Sequence, residues 1–345
     1  MPHVYLIAEI GCNHNGNPAL AMEMIEQAKE CGADAVKFQS FSAASLVSKY
    51  AQKARYQKET TNGEESQLEM LQKLELSNED YLHLRDYAKS LGLDVFSTPF
   101  DLNTVELLKR TGQTIWKIPS GEITNLPYLR SVAKVQGPGR RFILSSGMST
   151  IDEITACVAV LQTAGVDSKE LAVLHCNTEY PTPDQDVNIS AICDLRASFP
   201  ELEIGFSDHS LGTVAAIQAV ALGATIIEKH FTLDKSLPGP DHRASSTPDE
   251  FRKLCVDVRR AELMAGCGKK IVTESEAKNK VVARKSIVAA RFIREGDRFT
   301  SENLTCKRPG CGISPMFWDQ LCGLTAQKDF AEDELIVHEG FCSQE

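Results

Sequence analysis

The chain has 345 residues, which is enough for one large domain and one small one. Hydrophobic residues make up 42% and charged residues 24%, and the net charge of −10 argues against a general nucleic-acid or anionic-membrane binder. Because no run of about 18 apolar residues occurs, we expect no membrane span and a cytoplasmic protein. The eleven cysteines show no CxxC spacing, so we expect reduced thiols that pack as small hydrophobes.

Short apolar segments recur along the first 265 or so residues, and amphipathic helical patterns separate most of them. The segments are VYLIAEIG, AVKFQS, DVFSTPF, IWKIPSG, FILSSGM, LAVLHCN, EIGFSDHS and TIIEKHFT. The first segment has no basic leader or small-residue cleavage site, so it predicts a strand and not a signal peptide.

The segments between the apolar runs carry helix start and stop signals. Asn17 is a candidate N-cap before Pro18, and Gly32 is a stop signal for the same helix. Thr247 and Glu250 have the spacing of a capping box. Eight strand-helix alternations predict an α/β fold, a (β/α)8 TIM barrel. The main alternative is an open doubly wound sheet, which is disfavoured because no Gly-rich phosphate fingerprint follows the first strand.

The chain changes character after the barrel pattern. We predict a barrel domain over 1–266, a polar linker over 267–282, and a small second domain over 283–345 built from short strand-like pieces. In a barrel the active site lies at the carboxyl ends of the strands. Polar and ionisable residues cluster at those predicted ends: Glu9, Lys37, Gln39, Ser97, Thr98, Lys117, Ser120, Glu122, Ser145, His175, Asn177, Tyr180, Ser207, His209, Glu228 and His230.

These residues suggest three kinds of site. A cationic pocket rich in hydroxyl groups would suit a phosphate or carboxylate, and its members are Lys37, Lys117, Ser120, Ser145 and Ser207. Two histidines from adjacent strands, His209 and His230, would suit a catalytic divalent metal such as Mn²⁺ with open positions. Carboxylates for proton transfer or for holding sugar hydroxyls come from Glu9, Glu122 and Asp241.

Two further stretches need an explanation. In ATIIEKHFT, period-2 alternation places Glu228 and His230 on the side of the site and Lys229 on the outer side, where its stem would snorkel. The connection over 40–76 is longer than the usual loop between a strand and a helix. It predicts either a lid over the site or a surface excursion without a role.

The sequence resembles the bacterial sialic acid synthase family. Nine motifs carry the resemblance in order along nearly the whole chain: AEIGCNHNG, AVKFQ, FSTPFD, WKIPSGE, LSSGM, HCNTEYPTP, GFSDHS, EKHFTLDKSLPGPDH and KRPGCGISP. The resemblance implies condensation of phosphoenolpyruvate with N-acetylmannosamine and water to give N-acetylneuraminate and phosphate. It also implies a divalent metal, usually Mn²⁺ with Mg²⁺ or Co²⁺ as alternatives, a small antifreeze-like (SAF, β-clip) domain, and a domain-swapped homodimer.

The resemblance assigns roles to individual residues. His209 and His230 correspond to metal ligands, and Glu9 and Glu122 to catalytic carboxylates. The residues that match the phosphoenolpyruvate site are Lys37, Lys117, Ser120, Ser145 and Ser207. HCNT replaces the HCTN of some members, so both Asn177 and Thr178 are candidates there. The residues that match the amino-sugar site are Gln39, Tyr180, Asp241 and Arg308, the last reaching across the dimer.

Other activities remain possible on the same motifs. Legionaminate or pseudaminate synthases perform the same chemistry on a 2,4-diacetamido sugar, and GPDHRASSTP favours the neuraminate and legionaminate branch without separating the two. Barrel synthases of the 3-deoxy-octulosonate 8-phosphate kind lack the antifreeze-like extension. Ice binding by the small domain is disfavoured because Lys307, Arg308, Asp297 and Arg298 charge its surface.

Overall fold

The structure is a computed structural model that describes residues 3–61 and 64–341. The ends of the two predicted domains, 1–2 and 342–345, and residues 62–63 of the long connection lie outside the described residues. The chain forms two compact units, Met1–Cys267 and Gly268–Glu345. The predicted linker 267–282 contains most of a helix, Glu274–Ala283, whose Thr273 cap accepts no helix hydrogen bond through its side chain.

Eight parallel strands in the described residues of the first unit form one sheet. They are β1 (Tyr5–Gly11), β2 (Ala35–Ser40), β3 (Asp94–Pro99), β4 (Ile115–Ile118), β5 (Arg141–Ser145), β6 (Leu171–Cys176), β7 (Glu203–Asp208) and β8 (Ile226–His230). Their order is β3-β2-β1-β8-β7-β6-β5-β4, and β3 contacts β4, so the sheet forms a nearly closed barrel. The predicted TIM-type barrel is confirmed.

Helices follow or connect the strands. They are α1 (Pro18–Cys31), α2 (Ala43–Leu46), α3 (Arg55–Thr60), α4 (Gln67–Gln72), α5 (Asn78–Ser90), α6 (Leu102–Arg110), α7 (Leu126–Val132), α8 (Ile151–Thr163), α9 (Ala191–Ser198), α10 (Val214–Ala221), α11 (Pro248–Met264), α12 (Glu274–Ala283) and α13 (Trp318–Leu321). Within the described ranges, none of the helices has the length and apolar character needed to cross a membrane.

The local signals in the sequence act as expected. Asn17 Oδ1 accepts a hydrogen bond from Ala19 N at 3.0 Å and so caps α1. Gly32 ends the same helix in the left-handed conformation, with φ of 99°. At the start of α11, Thr247 N donates to Glu250 Oε2 at 3.0 Å, as a capping box requires.

Two apolar layers hold the barrel together. Inside the ring of strands lie the buried side chains Ile7, Ala35, Phe96, Ile143, Ala172, Leu174 and Ile226. A larger core fills the space between strands and helices, and its buried members include Leu6, Phe38, Trp116, Phe142 and Phe251. Cys157 and Cys255 lie in this outer core with free thiols, as the sequence predicts. The inner layer closes the bottom of the barrel and leaves its carboxyl end for polar groups.

The second unit has its own small core. Strands β9 (Ser286–Ala289) and β10 (Leu304–Lys307) pair antiparallel, with Leu304 opposite Ala289. Short loops complete the unit around buried apolar side chains, among them Ile287, Phe299, Leu321, Phe330 and Ile336. This unit corresponds to the small second domain of short strands that the sequence predicts.

Gly205 tests the packing inside the barrel. A Cβ atom on Gly205 would lie 2.5 Å from Leu174 Cδ2 and 2.6 Å from Ile226 O. We expect Gly205→Ala to lower the free energy of unfolding by about 1–3 kcal/mol because the crowded strands must shift. Urea titration measures the effect. Gly121→Ala is the matched control, since a Cβ there meets nothing within 4 Å. Equal stability of the two variants would contradict this description of the inner layer.

Candidate active site at the carboxyl end of the barrel

Most of the predicted site residues line one cavity of about 550 Å³ in the first unit. Those lining residues are Glu9, Lys37, Gln39, Lys117, Ser120, Glu122, Ser145, Thr178, Tyr180, Ser207, His209, Glu228, His230 and Asp241. Strand alternation brings them together, because six of the seven inner-layer residues are followed two places later by a cavity residue. Ile7 thus precedes Glu9, and Ile226 precedes Glu228.

Four buried charges form the floor of the cavity. Lys37 Nζ lies 2.6 Å from Glu9 Oε2 and 3.8 Å from Glu228 Oε2. Lys117 Nζ lies 3.7 Å from the other carboxylate oxygen of Glu228. The carboxylate of Glu228 therefore stands between two ammonium groups. All four side chains are at most 5% exposed, so each depends on the others for compensation of its charge.

Hydroxyl groups complete the surroundings of these charges. Lys117 Nζ donates to Ser145 Oγ, and Lys37 Nζ donates to Thr98 Oγ1 at 3.3 Å. Ser207 Oγ donates to Glu228 Oε1 at 2.9 Å. The two ammonium groups keep further N–H donors for an anion that enters the cavity.

The pKa values of the two carboxyl groups are shifted in opposite directions. Burial raises the pKa of Glu9, and the charge of Lys37 offsets this only in part. Burial also opposes ionisation of Glu228, but Lys117 and Lys37 outweigh it and lower the pKa of Glu228. Burial lowers the pKa of Lys117, although Glu228 acts against this. A carboxyl group poised for proton exchange thus lies near one held as an anion.

A close approach at Gly11 orients Glu9. Glu9 Oε1 accepts a hydrogen bond from Gln39 Nε2 at 2.8 Å. Gly11 has φ of +49°, and a Cβ atom there would lie 2.6 Å from Glu9 Oε1 and 2.9 Å from Gln39 Nε2. The glycine of the AEIG motif is therefore needed both for its backbone conformation and for the contact between these two side chains.

The two predicted metal ligands stand together under an aromatic ring. The ring centroids of His209 and His230 are 5.2 Å apart. Tyr180 stacks on His209 with centroids 4.1 Å apart and meets His230 edge-on at 5.3 Å. The tyrosine ring restricts the rotation of both imidazoles.

The histidine pair fits a divalent metal with open positions. His209 Nδ1 donates to the carbonyl of Asn177, and its Nε2 lies 3.3 Å from Ser207 Oγ, whose proton goes to Glu228 Oε1. His230 Nδ1 is buried and has no hydrogen-bond partner in the part of the chain that the structure describes. Burial, followed by the charge of His209, lowers the pKa of His230 well below its usual range, so this ring is neutral, the form that binds metals. Across residues 3–61 and 64–341 no group of three or more His, Cys, Asp and Glu side chains is arranged to hold a metal ion.

Asn13 of the first motif helps to position Asp241, although Asn13 itself does not line the cavity. Asn13 Nδ2 donates to Phe231 O at 2.9 Å and to Ser245 Oγ at 2.7 Å. Ser245 Oγ in turn donates to Asp241 O at 2.7 Å. Asp241 Oδ2 lies 3.8 Å from His230 Nδ1, and burial raises the pKa of Asp241 to about 6.

The structure distinguishes Asn177 from Thr178. Asn177 Oδ1 accepts from Glu179 N at 2.8 Å, and its Nδ2 donates to Asp186 O, so its amide serves the loop and does not line the cavity. Thr178 lines the cavity instead. The structure therefore favours Thr178 over Asn177 as the residue that faces the ligand, because the polar atoms of Asn177 are already used, and the contact itself stays a prediction.

At the end of β6, the cavity residue is Cys176 and not His175, which the sequence analysis includes among the residues at the strand ends. Cys176 lines the cavity, and its Sγ lies 3.7 Å from His209 Nδ1. His175 points to the outer side, where it stacks on Phe206 and bonds to Val187 O. Alternation from Leu174 would have found Cys176, but a free thiol was expected to be only a small hydrophobe.

The long connection over 40–76 contributes an apolar wall to the same cavity. Its large apolar lining side chains are Phe41, Leu46, Val47, Met70, Leu71 and Leu74, and Gln57 and Gln67 add polar groups. Helices α2 and α4 hold several of them in a small separate core. Tyr56 of α3 also lines the cavity, with its ring 5.1 Å from that of Tyr180. These contacts favour the lid interpretation over the surface excursion.

Lys229 corrects one expectation from the sequence. Its side chain is on the outer side, as alternation predicts, but it is only 2% exposed and does not snorkel. Lys229 Nζ instead pairs with Asp208 Oδ2 at 2.7 Å.

Arg308 lies in the second unit, where its Nε donates to Ala283 O at 3.1 Å. The role of Arg308 across a dimer stays a prediction.

Sequence comparisons relate both units to known families. Residues 24–270 match the NeuB family, and residues 284–341 match the SAF domain. An N,N'-diacetyllegionaminic acid synthase of Campylobacter jejuni is 47% identical over 97% of this chain and 99% of its own length. Another N,N'-diacetyllegionaminic acid synthase, from Legionella pneumophila, is 44% identical over 90% of this chain and 87% of its own length.

A solved structure extends the similarity. The N-acetylneuraminic acid synthetase of Leptospira borgpetersenii, in complex with citrate, is 33% identical to this chain with a TM-score of 0.70. The match covers 80% of this chain and 90% of that structure. The chain is thus similar along most of its length to synthases of several related sugar acids.

Glu228→Gln tests the charge network of the floor. Removing one of two carboxylates that face two buried ammonium groups leaves a cation uncompensated, so we expect a loss of about 3–5 kcal/mol in the free energy of unfolding. Glu106→Gln is the matched control, because Glu106 also lies 3.7 Å from a lysine, Lys109, but both side chains are largely exposed. The control should change stability by less than about 0.5 kcal/mol in the same urea titration. Equal effects would show that the floor charges do not depend on one another.

Proposed function

Because the chain belongs to the NeuB family, we propose that it condenses phosphoenolpyruvate with an N-acylated open-chain aldose and water, giving a sugar acid and inorganic phosphate. The observation that carries the proposal is the pair of buried ammonium groups, Lys37 and Lys117, at the carboxyl end of the barrel with serine hydroxyls around them. Such a pocket suits a small substrate that carries both a phosphate and a carboxylate.

The residues of this chain would bind and orient two substrates. Lys37 and Lys117, with Ser120, Ser145 and Ser207, hold the phosphate and carboxylate of phosphoenolpyruvate. The sugar lies toward Gln39, Tyr180, Asp241 and Glu122, with its aldehyde carbon facing C3 of the enol phosphate. Holding both reactants in one geometry removes most of the entropic barrier of a bimolecular step.

The proposed reaction has two bond-forming steps. C3 of phosphoenolpyruvate attacks the aldehyde carbon, and the aldehyde oxygen takes up the electron pair and a proton. Water adds at C2 and loses a proton, and the tetrahedral carbon then expels phosphate by cleavage of the C–O bond. Glu9 is the candidate group for moving a proton, because its carboxyl is buried beside Lys37 with a raised pKa. The lysines stabilise the negative charge of the departing phosphate.

His209 and His230 would hold the divalent metal, with Mn²⁺ as the proposed ion. When bound, such an ion supplies Lewis-acid polarisation of the sugar's aldehyde oxygen. The chain's own contribution is to keep both imidazoles oriented, through the Asn177 carbonyl on His209 and the Tyr180 ring on both. The family resemblance adds a homodimer in which Arg308 contacts the acyl group, and that contact is part of the proposal.

For the sugar, we propose a 2,4-diacetamido aldose, in place of the N-acetylmannosamine that the sequence analysis expects. Two N,N'-diacetyllegionaminic acid synthases, at 47% and 44% identity, support this choice over the 33% identical N-acetylneuraminic acid synthetase. The apolar wall supports it as well, because a second acetamido group brings a methyl group that Met70, Leu71 and Leu74 would cover.

A panel of sugars tests the proposal. Phosphate release is measured with phosphoenolpyruvate, Mn²⁺ and either N-acetylmannosamine or a 2,4-diacetamido aldose. We expect kcat/KM to be about 10-fold to 200-fold higher for the diacetamido sugar, the range that one apolar group contributes to discrimination. A higher kcat/KM for N-acetylmannosamine would contradict the sugar assignment. Absence of phosphate release with every aldose would contradict the condensation itself.

A pair of variants locates the preference within the cavity. Met70→Gln keeps the side-chain length but adds a polar amide to the apolar wall, so the ratio of kcat/KM between the two sugars should fall toward one. Met264→Gln, at an exposed methionine outside the cavity, is the control and should keep the wild-type ratio. If the wild type prefers one sugar and Met70→Gln keeps the same ratio of kcat/KM, the residues that determine the preference lie outside the apolar wall.

A further inference from the structure

A buried ion pair joins the two strands that carry the histidine pair. Asp208 and Lys229 are register neighbours on the parallel strands β7 and β8. Lys229 Nζ donates to Asp208 Oδ2 at 2.7 Å and to Ser210 O at 2.7 Å. Asp208 Oδ1 accepts from Ser210 N at 2.9 Å and from Ser210 Oγ at 2.6 Å. Both carboxylate oxygens and two of the three ammonium protons are therefore used.

Stability alone gives a poor reason for this pair. The two side chains are 1% and 2% exposed and lie on the outer side of the strands, in the layer of Phe206, Ile227 and Phe231. Taking two charges out of water costs several kcal/mol per ion, and well-packed apolar residues in their place often give equal or greater stability. An ion pair differs from an apolar contact in that its hydrogen bonds fix both distance and direction.

The position of the Asp208–Lys229 pair indicates that it holds the two histidines in place. Asp208 immediately precedes His209, and Lys229 immediately precedes His230. Because side chains alternate along a strand, the pair lies on the opposite side of the sheet from Ser207 and Glu228, one register step further along the two strands. Lys229 also bonds to Ser210 O, so it holds the residues on both sides of His209. A change in this bonding would move one imidazole relative to the other.

We propose that Lys229 and Asp208 are positioning residues that set the separation of the His209 and His230 rings and thereby the affinity of the site for a divalent cation. The inference rests on the proposed function, in which this histidine pair binds the metal. Neither residue touches the ion. They act through the backbone of β7 and β8, as outer groups that orient metal-binding histidines commonly do.

The test measures Mn²⁺ binding to the full chain without substrates, from the electron paramagnetic resonance signal of the free ion. Lys229→Met should raise the Kd for Mn²⁺ about 10-fold to 100-fold, the range for loss of an outer orienting partner. Lys229→Arg should keep the Kd within about threefold, because a guanidinium can donate to both Asp208 and the Ser210 carbonyl. A purely structural role would lower the melting temperature of Lys229→Met without changing the Kd of the folded protein.

Two further variants provide a test in case Lys229→Met does not fold and a control for the loss of a lysine. Asp208→Asn preserves volume and an acceptor for Ser210 but removes the charge, so it should also raise the Kd even if Lys229→Met does not fold. Lys253→Met, which removes a lysine from an exposed pair with Asp257, should leave the Kd unchanged. A wild-type Kd in folded Asp208→Asn or Lys229→Met overturns the positioning role.

His209→Ala separates this inference from the proposed function. Loss of Mn²⁺ binding in His209→Ala, with normal binding in Lys229→Met, would overturn only the positioning role. Equal binding by wild type and His209→Ala would show that the metal binds elsewhere, which would overturn both the metal assignment and the inference built on it.

Discussion

The carboxylate of Glu228 between two buried ammonium groups is the interaction on which the site depends. Lys37 and Lys117 come from β2 and β4, the two strands that flank β3, and neither would stay charged at its depth without an anion nearby. The carboxylate of Glu228 supplies negative charge near both lysines, and the carboxylate of Glu9 supplies additional negative charge near Lys37. The network leaves the floor close to neutral while keeping N–H donors directed at the cavity. An incoming phosphate and carboxylate would then meet donors that are already in place.

The cavity divides into surfaces with different chemistry. Its floor is charged and comes from the strand ends, whereas one wall is apolar and comes from the connection over 40–76. Strands fix positions more rigidly than loops do, which suits the part that holds the reacting atoms. The wall is carried by short helices outside the barrel, where sequence change alters the substrate without disturbing the chemistry.

Much of the fold and of the cavity could be predicted from the sequence because strand alternation and cap signals are local. The ends of all eight strands were recognisable, and alternation from Ile226 correctly places Glu228 beside His230 and Lys229 on the other side. The burial of Lys229 could not be predicted, since its partner Asp208 is 21 residues away and meets it only through strand pairing. The same holds for Asn177, whose amide is taken by Asp186 within the loop. Long-range strand pairing decided the case of Lys229, and hydrogen bonding within one loop decided that of Asn177.

The central claim is that the two buried lysines bind the anionic substrate. Calorimetric titration of phosphoenolpyruvate into wild type and Lys117→Met tests it most directly, with Lys109→Met at an exposed helical position as the control. Loss of a charged hydrogen-bond donor should cost about 1.5–3 kcal/mol, which raises the Kd roughly 10-fold to 150-fold, while the control keeps the wild-type value. An unchanged Kd in folded Lys117→Met would contradict the claim.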